Sequence, residues 1–140
     1  MTREPVTGDE AAAVVATMPF AGMVGVEVTS AGPDEVRGRL GWRPETCTTG
    51  AVMHGGALMT LADSLGAICA VLNLPAGAWT GTIESKTNFF RAVRGGFAEA
   101  VSRPLHVGRT TIVVQTDLFD GEKRRVAQVT QTQAVLSASV

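Results

Sequence analysis

Apolar and polar positions alternate along most of the chain, and one stretch is apolar almost without interruption. Val24, Val26 and Val28 recur at every second position. Val36, Leu40 and Trp42 alternate with Arg37, Arg39 and Arg43, beyond the turn residues Ala31-Gly32-Pro33-Asp34. That spacing predicts two strands joined as a hairpin. The second half predicts four more strands, near Ala78–Ala92, Gly96–His106, Thr110–Asp120 and Lys123–Leu136. Asp120-Gly121 is a strong hairpin dipeptide, and Gly95-Gly96 and Val107-Gly108 mark the other turns. Ahead of these, Asp9–Thr17 reads as a short helix with an acidic start. Met18–Met23, with Pro19 and Gly22, reads as a turn, and Pro44–Met53 as a loop without a clear period.

The uninterrupted stretch predicts one long helix from about Gly55 to Asn73, ended by the breakers Leu74-Pro75-Ala76-Gly77. Ala57–Leu74 is near the lower length limit for a membrane span. Asp63, Ser64 and Asn73 interrupt it, however, and no second apolar run accompanies it. A helix apolar on all sides fits the centre of a domain. Covering its faces takes a curved sheet wrapped round it, so the order of elements predicts an α+β arrangement of hairpins. The long last strands leave an outer face suited to a second subunit.

Composition narrows the function. The 140 residues suit one domain over 1–140, with 45% hydrophobic and 18% charged residues. Net charge is -1 and the basic residues are scattered, so no nucleic-acid patch is expected. Cys47 and Cys69 form neither a disulfide framework nor a metal pair. His54 and His106 do not combine with the scattered acids, so no metal is expected. Met1–Glu10 carries charges where a signal peptide needs an apolar core, which predicts the cytosol. Cys69 in the apolar helix reads as packing, Phe97 and Phe119 as core, and Cys47 lacks an activating neighbour.

The segment that carries chemistry is His54-Gly55-Gly56, followed by Asp63 among apolar residues. The first turn of a helix has unpaired N–H groups and the positive end of the dipole. Glycines let a substrate approach those groups. A carbonyl oxygen held there is polarised, and one such donor lowers a barrier by about 2.7–4 kcal/mol. A carboxylate surrounded by apolar residues has a raised pKa, and such acids cluster at working sites. Gly56 and Asp63 share a helix face but lie about 10 Å apart along the axis at 1.5 Å per residue. One helix therefore cannot bring both to one carbonyl. Two antiparallel copies can, which predicts a homodimer with sites shared between chains.

The stretch His54-Gly55-Gly56-Ala57 with Leu61-Ala62-Asp63 resembles the signature of the hotdog-fold acyl-CoA thioesterases, closest to the PaaI-like, hydroxybenzoyl-CoA thioesterase-like branch. The likeness covers nearly the whole chain and includes Asn88-Phe89-Phe90-Arg91-Ala92, Val107-Gly108-Arg109 and Gln131-Thr132-Gln133. The resemblance implies a sheet wrapped round a central helix, dimers paired into homotetramers, and hydrolysis of an aromatic or medium-chain acyl-CoA. Coenzyme A would be part of the substrate, with no separate cofactor. By the same likeness Gly56 presents its N–H to the thioester carbonyl with Gly55 beside it. Asp63 is nucleophile or general base, and His54 orients water or thioester. Thr48, Thr82, Phe89, Phe90, Arg91, His106, Val107, Gly108, Arg109 and Thr110 are the implied substrate and CoA contacts, and Met18 and Phe20 are candidates for the acyl pocket border. Thr48 stands where relatives often carry Gln or Asn, and Ala67 where they often carry a hydroxyl residue. A non-catalytic acyl-CoA binding protein on the same scaffold is the alternative reading, and a hotdog dehydratase a third. Asp63 separates the first two, because a binder has no use for an uncompensated carboxylate facing a thioester.

Overall fold

The computed structural model describes residues 4–137. Its elements run β1 (Val6–Thr7), α1 (Gly8–Val15), α2 (Pro19–Val24), β2 (Val26–Ala31), β3 (Val36–Gly41), a 3-10 turn at Pro44–Thr46, β4 (Cys47–Thr48) and β5 (Val52–Met53). Then follow α3 (Gly55–Val71), β6 (Ala78–Phe89), β7 (Phe97–Val107), β8 (Thr111–Phe119) and β9 (Arg125–Ser137). Seven strands form one antiparallel sheet in the order β1-β2-β3-β7-β8-β9-β6. α3 lies across its inner face, as the apolar run predicts. The fold is the hotdog: one long helix held in an open, curved antiparallel sheet.

Alternation decides which side chains meet α3. Val36 and Leu40 on β3, Ala98 and Ala100 on β7, and Ile112, Val114 and Leu118 on β8 are fully buried. They pack in one cluster with Leu58, Leu61, Leu65 and Ile68 of α3. Each buried Leu or Ile contributes about 1.5–3 kcal/mol relative to an exposed one. Two glycines allow the close approach. A Cβ on Gly38 would stand 3.0 Å from the Leu65 methyls. A Cβ on Gly66 would overlap the Gln131 amide, 2.5 Å from Cδ and 2.9 Å from Nε2.

Several boundaries differ from the sequence expectation. Residues 19–24 form helix α2 where a turn was expected. Pro19 takes the first helical position, which tolerates its missing N–H, and Gly25 ends the helix at φ 103°. Val24 thus belongs to α2, and β2 starts at Val26. α3 stops at Val71, because Asn73 turns its side-chain amide onto the carbonyls of Cys69 (2.9 Å) and Pro33 (2.8 Å). The Asp120-Gly121 turn is longer than a two-residue hairpin. Asp120 Oδ1 accepts N–H bonds from Glu122 and Arg124 (2.9 Å each), so β9 begins only at Arg125. Phe97 and Phe119 are not core. Both are half-buried, with Arg39 5.9 Å over the first ring and Arg125 6.0 Å over the second.

β6 is a sheet edge twelve residues long, with no neighbour beyond it among the described residues. It exposes Trp79, Ile83 and Phe89. No described helix is long and apolar enough to cross a membrane.

Candidate active site at the free face of the central helix

His54 caps α3. Its carbonyl accepts from Ala57 (2.9 Å) and Leu58 (3.2 Å), and its Nδ1 accepts from the Gly56 N–H at 2.7 Å. The Gly56 N–H expected to face a substrate is therefore already engaged, and Gly55 keeps the first-turn N–H without a partner among the described residues. An imidazole that accepts at Nδ1 carries its proton on Nε2, so His54 offers Nε2–H as a donor. The Phe89 ring covers the other side of Gly55, where a Cβ would lie 3.1 Å from Cζ.

Asp63 sits two turns further on, among the exposed positions of α3. Met59, Asp63 and Val71, spaced by four and then eight residues, form an exposed stripe that the sheet does not cover. Sequence reasoning expected a buried carboxylate; within one chain Asp63 is exposed. It forms no ion pair among the described residues. Its surroundings nevertheless push its pKa above the usual carboxylate value by burial, and the Thr82 hydroxyl beside it opposes that rise. A cavity of about 340 Å³ collects Asp63, Ser64, Ser85, Met59 and Phe20, and touches Gly56 and Thr60. The last two and Phe20 also border a second cavity of about 590 Å³, lined by Met23, Val24, Cys47 and His54. His54 borders one of these two cavities and Asp63 the other, and Phe20, Gly56 and Thr60 line both. Met18 packs against the core instead.

Thr48, Gly55, Phe89, Phe90 and Arg91 line a neighbouring groove of about 380 Å³. His106, Val107, Gly108, Arg109 and Thr110 lie elsewhere, at the β7–β8 turn. There the Gly108 N–H bonds to the Thr111 carbonyl (2.8 Å). That turn sits by the start of β6: Gly81 pairs with Ala134, and Ala134 with Thr111. Gly81 and Phe89 are separated by about 26 Å at ~3.3 Å per strand residue. One chain therefore holds its two predicted CoA-contact groups at opposite ends of β6. Another cavity, of about 660 Å³ between Arg91–Gly96 and the β8–β9 turn, contains none of the predicted catalytic residues. Arg103 is accounted for structurally, by its 2.6 Å pair with Glu35. Cys69 is buried and its thiol is pushed up to about 12 by burial, which makes it inert packing. The Cys47 thiol donates to the Arg43 carbonyl at 3.3 Å. No cluster of metal-ligating side chains occurs among the described residues.

Sequence reasoning missed Met59 and Ser85 at the cavity and the surroundings of Thr82. The signal was present. Thr80 and Thr82 occupy alternate positions of β6, and Gln131 and Gln133 occupy core-facing positions of β9 where apolar residues are the rule.

Comparison with known proteins bears on the family of the chain. Residues 50–127, more than half of the chain, match the family model of the thioesterase superfamily. The proofreading thioesterase EntH of Cronobacter turicensis is 28% identical over 113 residues, covering 81% of this chain and 82% of that protein. The 1,4-dihydroxy-2-naphthoyl-CoA hydrolase of Escherichia coli K12 is 32% identical over 85 residues, covering 61% and 62%. The crystal structure of a thioesterase from Haemophilus influenzae superposes with a TM-score of 0.81 at 25% identity, covering 84% of this chain and 82% of that one. The chain belongs to the thioesterase superfamily and is a hydrolase of thioesters.

Proposed function

We propose that the protein hydrolyses an aromatic or medium-chain acyl-CoA to the free acid and CoA, in sites shared between the two chains of a homodimer. The observation that carries the reading is Asp63. It is a carboxylate with no counter-ion among the described residues, its pKa raised by burial, placed on the uncovered face of α3 beside a cavity. The relative named as a 1,4-dihydroxy-2-naphthoyl-CoA hydrolase supports CoA as the carrier.

The first turn of α3 polarises the thioester carbonyl. Because His54 engages Gly56, the donor is the Gly55 N–H, with His54 Nε2–H able to join it and Gly56 leaving room for the substrate. As negative charge grows on the oxygen, these fixed dipoles stabilise it without reorganising. Asp63 of the other chain then acts in one of two ways. As nucleophile it forms an acyl anhydride and expels the CoA thiolate, and water cleaves the anhydride. As general base it takes a proton from the attacking water. Both roles need the ionised carboxylate.

Dimerisation follows from the same surfaces. A twelve-residue edge with exposed Trp79, Ile83 and Phe89 is a template for pairing. Antiparallel pairing of β6 with its copy sets the Phe89 end of one chain beside the β7–β8 turn of the other. The two CoA-contact groups, remote within a chain, then meet. The stripe Met59, Asp63 and Val71 faces its counterpart, and the raised pKa of Asp63 rises further as water leaves. The outward faces of Trp79 and Leu136, paired across β6 and β9, offer an apolar contact for a second dimer. No further cofactor enters the chemistry.

Thiol release measured by colour with benzoyl-CoA, phenylacetyl-CoA and hexanoyl-CoA tests the reading. Asp63→Ala should lower turnover by about 10²–10⁴ with the fold intact. Near-normal turnover in that variant would remove Asp63 from the chemistry. Mixing Asp63→Ala chains with Gly55→Val chains should recover part of the activity, since each mixed dimer regains one complete site. A confirmed mixed dimer with no activity would refute the shared site.

A further inference from the structure

The first turn of α3 stands between two recesses. Gly55 borders the 380 Å³ groove with Phe89 and Arg91, and Gly56 borders the 590 Å³ cavity with His54. The space round the two glycines divides in the same way. A Cβ on Gly55 would meet the Phe89 ring at 3.1 Å, and one on Gly56 the His54 ring at 2.9 Å. A thioester whose carbonyl rests on this turn sends two arms away from it. The groove holds residues expected to contact CoA, which leaves the cavity beside Gly56 for the acyl arm.

Helix α2 supplies the apolar wall of that cavity. Ala21 is buried and Val24 packs against the core, which seats the helix. Phe20 and Met23, neighbours on one face at three-residue spacing, are 61% and 70% exposed, and both line the cavity. Large apolar side chains held open in this way mark a ligand groove. Six residues are too few to hold a helix by themselves. The last carbonyls of α2, on Met23 and Val24, accept from Arg43 Nη2 at 3.2 and 2.7 Å. Arg43 lines the same cavity, so the strut that fixes α2 is part of the wall. Across from it, the Thr60 hydroxyl is spent on the Gly56 carbonyl at 2.9 Å.

We propose that α2 is a gauge of acyl length: the acyl group lies in the cavity beside Gly56, Phe20 and Met23 stop its far end, and Arg43 is the positioning residue that holds them in place. The proposal rests on the reading that the thioester carbonyl is held at the first turn of α3. An apolar pocket discriminates by about 10–200-fold for each methylene that fits or fails to fit.

The test uses the intact protein and straight-chain acyl-CoAs from butyryl to decanoyl, with thiol release followed by colour. The readout is the ratio of kcat/KM for decanoyl-CoA to that for hexanoyl-CoA. Phe20→Ala and Met23→Ala should each raise this ratio about tenfold, and Met23→Trp should lower it by a similar factor. Arg43→Met keeps the apolar stem but loses both bonds to α2, so it should flatten the dependence on chain length. Arg43→Lys, which keeps a donor for those carbonyls, should restore most of it. Met59→Ala, which alters only the cavity at Asp63, should leave the ratio at the wild-type value whatever it does to turnover. Equal losses at every chain length in the Phe20 and Met23 variants would reveal packing alone and overturn the proposal. A ratio that answers to Met59→Ala and not to Met23→Ala would overturn it too. Calorimetric binding of hexyl-CoA and decyl-CoA thioethers reads the same preference without hydrolysis. Full turnover in Asp63→Ala would bring down the catalytic reading, while the thioether ratio still decides whether α2 gauges the acyl arm.

Discussion

Replacing Gly66 by alanine sets two known effects against each other. In the interior of a 17-residue helix the change is worth about 1 kcal/mol of stability through propensity. The added methyl, however, lands in the Gln131 amide, with Cδ at 2.5 Å and Nε2 at 2.9 Å. Gln131 is fully buried, so its whole amide must move within a packed interior. Overpacking of this kind costs about 1–3 kcal/mol, and an overlap this deep belongs near the top of that range. The net expectation is a loss of about 2 kcal/mol, or a fall in Tm of about 6 °C for a domain of this size. The Gln131 amide bonds nothing, so deleting it frees an unsatisfied polar group as well as space. Gly66→Ala with Gln131→Ala should therefore recover most of the loss and expose the propensity gain. Thermal melts of the two single variants and the double variant give the coupling directly. A higher Tm in Gly66→Ala alone, or no recovery in the double variant, would refute the reasoning.

Four further expectations come from the charged groups and the edge strand. Burial raises the Asp63 pKa above its unfolded value, so ionising it costs stability as pH rises through the folded pKa; Asp63→Asn should melt higher than wild type at neutral pH while losing turnover. The same shift places the acid limb of kcat/KM above the ordinary carboxylate range of about 4, because turnover needs the ionised form. Asp120 has the opposite sign: N–H bonds from Arg124 and Glu122 and the Arg124 guanidinium hold its pKa down. Its stabilisation is present above its unfolded pKa and fades as pH falls, so Asp120→Asn should lower Tm at neutral pH and converge with wild type in acid. Ile83→Lys on β6 should give a monomer by analytical ultracentrifugation and reduce turnover about as far as Asp63→Ala, within the general range of 10²–10⁴. A folded, active monomer would contradict the shared site.

Some of this molecule was plain in the sequence. The apolar run announced α3, and the alternating runs announced β6 to β9, because both periodicities depend only on residues near one another. α2 was missed because Pro19 and Gly22 read as breakers, whereas Pro19 opens the helix. The hydrogen bond from Gln133 to Thr82 joins residues 51 apart, and only the β6–β9 register brings them together. Asp63 was expected to be buried among apolar residues, at a site shared between two chains. Its apolar neighbours in sequence are equally consistent with burial by a second copy, and a hydrophobic pattern does not say which chain supplies the cover.

The strand order also bears on how the chain is made. β6 finds its only described neighbour in β9, so as the chain leaves the ribosome β6 emerges long before its mate. Synthesis at about 5–20 residues per second leaves it waiting for seconds as a lone ribbon of threonines and aromatics. Pairing at such sequence separation is slow to close. Nascent chains are thus most vulnerable to chaperone capture and mispairing in the interval before β9 appears, and silent codon changes that lengthen it should reduce the yield of folded protein.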